Sequence, residues 1–158
     1  MAALFSLQDF QVEESLSYLM KRTRAVLVHA VEQTLSEQGL DVTQAQGSVL
    51  FMLSSGKYRS AADLAREVCI DAASMKRMLD RLVARGLIRR QPSELDRRAI
   101  ELHLTTAGAD LAQRLPAVYV AVLNQCFAGF SAEEVGFLKS LLQKLLANSA
   151  PVADLENN

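Results

Sequence analysis

Residues 59–106, RSAADLAREVCIDAASMKRMLDRLVARGLIRRQPSELDRRAIELHLTT, carry the pattern that decides the fold. Ser60 followed by Asp63 is a capping-box-like start for a short helix through Glu67, with Leu64, Ala65 and Val68 turned inward. Asp71 caps a second helix, in which Met75, Met78, Leu79 and Leu82 fall at i, i+3, i+4 and i+7. Gly86 stops it. Leu87–Arg90 and Ile100–Thr105 then read as two short strands. In the second, Ile100, Leu102 and Leu104 alternate with Glu101 and His103, so one face packs and the other is wet, with His103 a solvated strand residue. The stretch Pro92-Ser93-Glu94-Leu95-Asp96-Arg97-Arg98 between them is too long for a two-residue turn and ends in paired arginines. Helix, tight break, helix and β-hairpin, in that order, make a winged helix-turn-helix.

Charge sharpens the reading. From Lys57 to Arg98 eleven Lys/Arg stand against six Asp/Glu, a net of +5, while residues 1–56 and 99–158 each carry three basic and six acidic residues, −3 apiece. The near-neutral total of −1 therefore hides a basic centre of the kind that phosphate contact requires. Opposite the Met/Leu stripe, the second helix presents Ala73, Ser74, Lys76, Arg77 and Arg81. Small residues at its first turn let it approach base edges, and the long cations behind them reach phosphates or guanine. Arg97 and Arg98, at a hairpin tip, suit a narrow and electronegative minor groove, with Asp96 or Asp80 pairing one of them. The expected partner is double-stranded DNA. The competing reading from another class is a winged helix that docks an acidic protein without reading sequence.

Composition excludes other classes. With 158 residues and 50% hydrophobic content the chain buries a real core, and no run of about 18 apolar residues is present to span a membrane. The start MAALFSLQDFQVEE lacks a basic n-region and does not read as a signal peptide. Two cysteines, Cys69 and Cys126, are too few for a disulfide framework and fit the cytoplasm; with two histidines, no metal motif forms and no cofactor is expected. Cys69, between Val68 and Ile70, and Cys126, on an apolar helix face, are both expected to be buried and inert. A Gly-rich phosphate loop and a nucleophile–base pair are both missing, so the chain does not read as an enzyme.

The run LAREVCIDAASMKRMLDRLVARGLIRRQPSELDRRAIELHLTTAG resembles the signature of the multiple antibiotic resistance regulator (MarR) family. The likeness lies in Leu64-Ala65, the M-x-R-M-L-D-R-L core, Arg85-Gly86-Leu87-Ile88, Asp96-Arg97-Arg98-Ala99 and Leu104-Thr105-x-Ala107-Gly108. Asp71-Ala72-Ala73 departs from it, where the family often has Ser or Thr with Pro, which implies fewer direct base contacts. The resemblance covers about residues 10–148 and implies a mostly α fold with a small β-hairpin wing. Residues 40–105 form the DNA-binding lobe, 1–38 with 106–148 the dimerisation helices, and 149–158 a loose tail.

The flanking helices support that division. Glu14–Gln38 keeps Leu16, Leu19, Met20, Leu27, Val31 and Leu35 at helical spacing before Gly39, and Thr43 caps a helix to Leu53. Thr106–Ala128 carries Leu111, Leu115, Val118, Val122, Leu123, Cys126 and Phe127 on one side, with Pro116 expected to bend it. Ser131 with Glu134 opens a last helix rich in leucine. This apolar area exceeds what a small reader lobe covers, so Phe5, Phe10, Leu123, Leu138, Leu142 and Leu145 are expected in a homodimer that reads an inverted repeat. Tyr18, Arg22 and His29 share a stripe off the Leu face, suited to an organic anion. The resemblance implies such an effector, a small phenolic or aromatic acid that releases a repressor from DNA. It also offers thiol-based redox response as an alternative, although neither cysteine lies near the start of the first helix, where oxidant-sensing relatives carry theirs.

Overall fold

The structure, a computed structural model, describes Phe5, residues 11–93 and residues 99–153, the last five by backbone only. Its elements are α1 (Leu16–Glu37), α2 (Gln44–Ser54), α3 (Ala61–Val68), α4 (Ala72–Ala84), β1 (Ile88–Pro92), β2 (Ile100–Leu104), α5 (Thr106–Cys126) and α6 (Ala132–Ala153). They fall into two compact units, one through Val122 and one from Leu123 onward.

Each start is set by a side chain. Thr43 and Gln46 form a reciprocal capping box on α2, and Ser60 accepts from the Asp63 amide ahead of α3. There the Asp63 carboxylate takes the Ser60 hydroxyl (2.6 Å). Asp71 accepts from the Ser74 amide at 2.8 Å to open α4. In the second unit Ser131 and Glu134 exchange both bonds at the head of α6, and Phe127 packs edge-on against Phe130.

Three helix ends close by one hydrogen-bond pattern. Leu40 bonds back to Leu35 after α1, Leu87 to Leu82 after α4, and Ile70 to Ala65 after α3. Gly39 and Gly86 supply the left-handed residue at the first two, but Cys69 supplies it at the third, with φ 55° and ψ 50°. A non-glycine there costs about 1–2 kcal/mol. This conformation carries the Cys69 side chain out to solvent, so its expected burial is corrected. Cys126 is also exposed, because burial along α5 ends at Val122.

The core of the first unit joins Val31 and Leu35 of α1, Val49, Leu50 and Leu53 of α2, Leu64 of α3, the four-residue stripe of α4, Ile88, Leu102, and Leu115, Val118 and Val122 of α5. The hairpin pairs Ile88 with Leu104 and Pro92 with Ile100, antiparallel. Its first strand starts one residue later and runs two residues further than the sequence indicated. Ile100, expected to pack, is 51% exposed at the strand's open end, while Leu102 is buried. The last helix reaches Ala153, into what reads as tail from the sequence.

One close approach locks the wing to α5. Thr105 accepts from the Gly108 amide (3.1 Å) and donates to the Gly86 carbonyl (2.6 Å). A Cβ on Gly108 would lie 1.9 Å from the Leu87 carbonyl oxygen. Gly108→Ala is therefore expected to destabilise the protein by about 1–3 kcal/mol or more through overpacking against backbone. Urea unfolding measures it; an unchanged midpoint would show that the helix moves away freely.

Candidate nucleic-acid interface

Burial of Met75, Met78, Leu79 and Leu82 turns the other side of α4 to solvent. Ala73, Lys76, Arg77 and Arg81 are exposed there and Ser74 is half-buried. Arg77 donates to the Ser74 hydroxyl (2.8 Å), and Ser74 in turn bonds Asp71. Hydrogen bonds from Ser74, with the nearby Arg77 charge, hold the Asp71 carboxyl below its ordinary value. The cap thus stays ionised at neutral pH and fixes the first turn.

The fold sorts the remaining cations. Arg66 pairs with Asp63 (3.3 Å), Arg85 with Asp41 (3.0 Å), Arg90 with Asp80 (2.8 Å) and Arg59 with Glu101 (3.3 Å). Among the described residues, Lys76, Arg77, Arg81 and Arg89 enter no ion pair of that kind. Asp80, one of the acids expected to hold a wing arginine, is thus occupied by Arg90. Arg97, Arg98 and Asp96 lie outside the described residues, as does Phe10.

At the base of the wing sits a polar cluster that sequence reasoning missed. Glu101 accepts from the buried Ser93 hydroxyl (2.7 Å) and from Arg59, and its carboxylate lies 3.2 Å from His103 Nε2. His103, read as a solvated strand residue, is thus a half-buried partner of Glu101. The Leu102 amide donates to the Arg59 carbonyl (2.8 Å), so the segment before α3 flanks β2 on its free edge. The alternation of β2 marked Glu101 only as a wet-face residue; its partners come from 42 and 8 positions away.

The expected effector stripe is open. Tyr18 is half-buried and Arg22 and His29 are exposed along α1. They line neither of two open clefts, of about 440 and 600 Å³, that share Asp41, Thr43 and Gln46. The larger cleft adds Met78, Arg81 and Arg85. Of the expected dimer residues, Phe5, Leu123, Leu138, Leu142 and Leu145 are all exposed.

Comparison with known proteins matches the MarR family model to residues 42–100. The chain is 33% identical to the multiple antibiotic resistance protein MarR of Escherichia coli K12, covering 76% of this chain and 88% of that protein. The chain belongs to the MarR family. A crystal structure of an E. coli MarR variant complexed with operator DNA superimposes with a TM-score of 0.74 at 28% identity, covering 83% of this chain and 93% of that one. A Mycobacterium tuberculosis MarR family protein in complex with salicylic acid gives 0.68 at 32% identity, covering 88% and 99%. A Mycobacterium tuberculosis relative, 34% identical over 82% of this chain and 92% of its own length, carries the name of an HTH-type transcriptional repressor. Among the described residues no helix is long and apolar enough to cross a membrane.

The wing-base cluster makes a pH prediction. The Ser93 hydroxyl bond, with Arg59 behind it, holds the Glu101 carboxyl below its ordinary 4.5, against partial desolvation. A depressed carboxylate pKa contributes stability that is fully present above the ordinary value and is lost as pH falls through the depressed one. The Tm difference between wild type and Glu101→Gln is therefore expected at pH 7 and should close progressively below pH 4.5. A difference that stays constant into acid would remove the ionised carboxylate from the account.

Proposed function

We propose that this chain is a DNA-binding transcriptional regulator of the bacterial cytoplasm that represses from an inverted-repeat operator as a homodimer and is released by a small aromatic acid. The observation that carries the reading is the outer face of α4. Among the described residues Lys76, Arg77 and Arg81 enter no ion pair there, on a helix whose opposite side is locked into the core. The wing supports it, with Arg97 and Arg98 as its minor-groove contacts. So does the operator complex of the E. coli relative.

The dimer rests on the second unit and the N-terminal segment. No described side chain of α6 is buried, and Leu138, Leu141, Leu142 and Leu145 form an exposed stripe at i, i+3, i+4 and i+7. Phe5 and Leu123 are exposed apolar side chains as well, and Phe10 is assigned to the dimer from the sequence alone. Tyr18, Arg22 and His29 are the effector contacts in this reading; the salicylic acid complex of the mycobacterial relative supports the ligand class.

Arg77→Ala and Arg81→Ala are each expected to cost about 1–3 kcal/mol of operator affinity where the arginine reads a base, and less, equally on all sequences, where it touches phosphate. Gel-shift titration on palindromes from the DNA flanking the gene decides this; unchanged affinity in both would put the wrong face in the groove. Leu138→Glu with Leu142→Glu is expected to yield monomer or unfolded chain by sedimentation. A stable and fully active monomer would remove the dimer from the proposal. Salicylate should dissociate the wild-type complex at concentrations that leave an Arg22→Ala complex intact.

A further inference from the structure

We propose that Arg85 and Asp41 form a positioning latch that fixes the angle of α4 against α1, and through it the spacing at which two α4 helices meet DNA; this rests on the DNA-binding reading above. Arg85 belongs to the basic centre of the chain, yet its guanidinium is bound elsewhere. Its Nη2 donates to the Asp41 carboxylate (3.0 Å) and also to the Asp41 backbone carbonyl. Asp41 lies between the closure of α1 and the Thr43 cap of α2. Its neighbours Leu40 and Val42 are both buried, and Leu40 bonds back to Leu35 (2.8 Å) while Val42 bonds to Leu40 (2.9 Å). The corner that offers Asp41 outward is therefore rigid.

The other end is rigid as well. Arg85 follows α4 directly, where Leu87 bonds to Leu82 and is buried. A donor that grips a carboxylate and a carbonyl of one residue joins these corners across 44 positions of sequence. From α5, Arg114 reaches the Gln38 carbonyl at the end of α1 (3.4 Å), so a second cation holds the same corner. The Asp41 side chain is 99% exposed, so the pair adds little stability. What it restrains is rotation, because α4 otherwise packs chiefly on α3 and β1.

The test uses the inverted-repeat duplex that the wild-type protein selects from a random pool, and the same duplex with one base pair inserted at its centre. Affinities are measured over a salt series for wild type, Asp41→Lys, Asp41→Asn and the swap Asp41→Arg with Arg85→Glu. Asp41→Lys adds positive charge, which through space would tighten DNA binding. The latch instead demands a loss of about three- to tenfold on the selected duplex. It also demands a narrower preference over the expanded duplex and an unchanged log–log salt slope, as expected of residues that act without a phosphate contact. The swap should recover most of both. Asp41→Asn, which keeps the shape, should move affinity in the same direction by less, and it decides the matter if Asp41→Lys does not fold. Equal or tighter binding by the Asp41 variants, or a swap that restores nothing, overturns the latch. Failure of the wild-type protein to select any duplex overturns the DNA-binding reading and the latch with it.

Discussion

What α4 presents outward depends on the burial of Met75, Met78, Leu79 and Leu82. Helices as short as α3, with 8 residues, and α4, with 13, are marginal in water by themselves. They persist because their apolar stripes enter a shared core, each large side chain contributing about 1.5–3 kcal/mol. That burial also fixes how α4 is rotated. A helix that hides 75, 78, 79 and 82 turns 73, 77 and 80 to the far side, with 76 and 81 flanking them and 74 at the edge. The position of the cationic face is a consequence of core packing and needs no separate instruction.

Electrostatics then refines what packing exposes. Asp80 holds Arg90, Asp63 holds Arg66, Glu101 holds Arg59 and Asp41 holds Arg85. These acids neutralise cations at the margins of the basic centre, and among the described residues they leave Lys76, Arg77 and Arg81 of α4 outside any ion pair. Desolvation is the reason this matters. A guanidinium already paired must break that pair before it meets a phosphate, whereas an unpaired one only exchanges water and counterions. The same net charge spread evenly would attract nucleic acid less selectively.

How much of this was legible in the sequence follows from range. The stripe of α4, the Thr43 and Asp71 caps, the Ser131–Glu134 box and the stops at Gly39 and Gly86 are patterns whose members lie no more than seven positions apart, and the structure contains each of them. Cys69 was opaque because it performs a glycine's conformational task with a different side chain, and apolar neighbours on both sides made it look buried. Cys126 and Ile100 were misjudged for another reason: helical or strand periodicity says which face is apolar, but not where along the element the packing partner ends. The Glu101 cluster and the Arg85–Asp41 bond join positions 8 to 44 apart, and no local period encodes them.

The apolar excess at the chain ends bears on the same interface. In the proposed complex a single α4 offers few contacts to base edges, so one lobe alone would bind weakly and discriminate poorly. Joining two lobes turns the second contact into an intramolecular event, whose strength depends on how closely the fixed geometry matches the spacing of the half-sites. A loose connection gives avidity on any DNA, and a stiff one restricts it to a repeat of one spacing. The exposed leucines of α6 can bring two copies together, but they cannot by themselves make the connection stiff. Stiffness has to come from within each copy, from the closed end of α1, the capped start of α2 and the bonds that tie α4 to the corner between them. In the proposed complex, sequence preference is distributed: α4 would contact the bases, while residues that touch no DNA would determine which pairs of sites both copies of α4 reach at once.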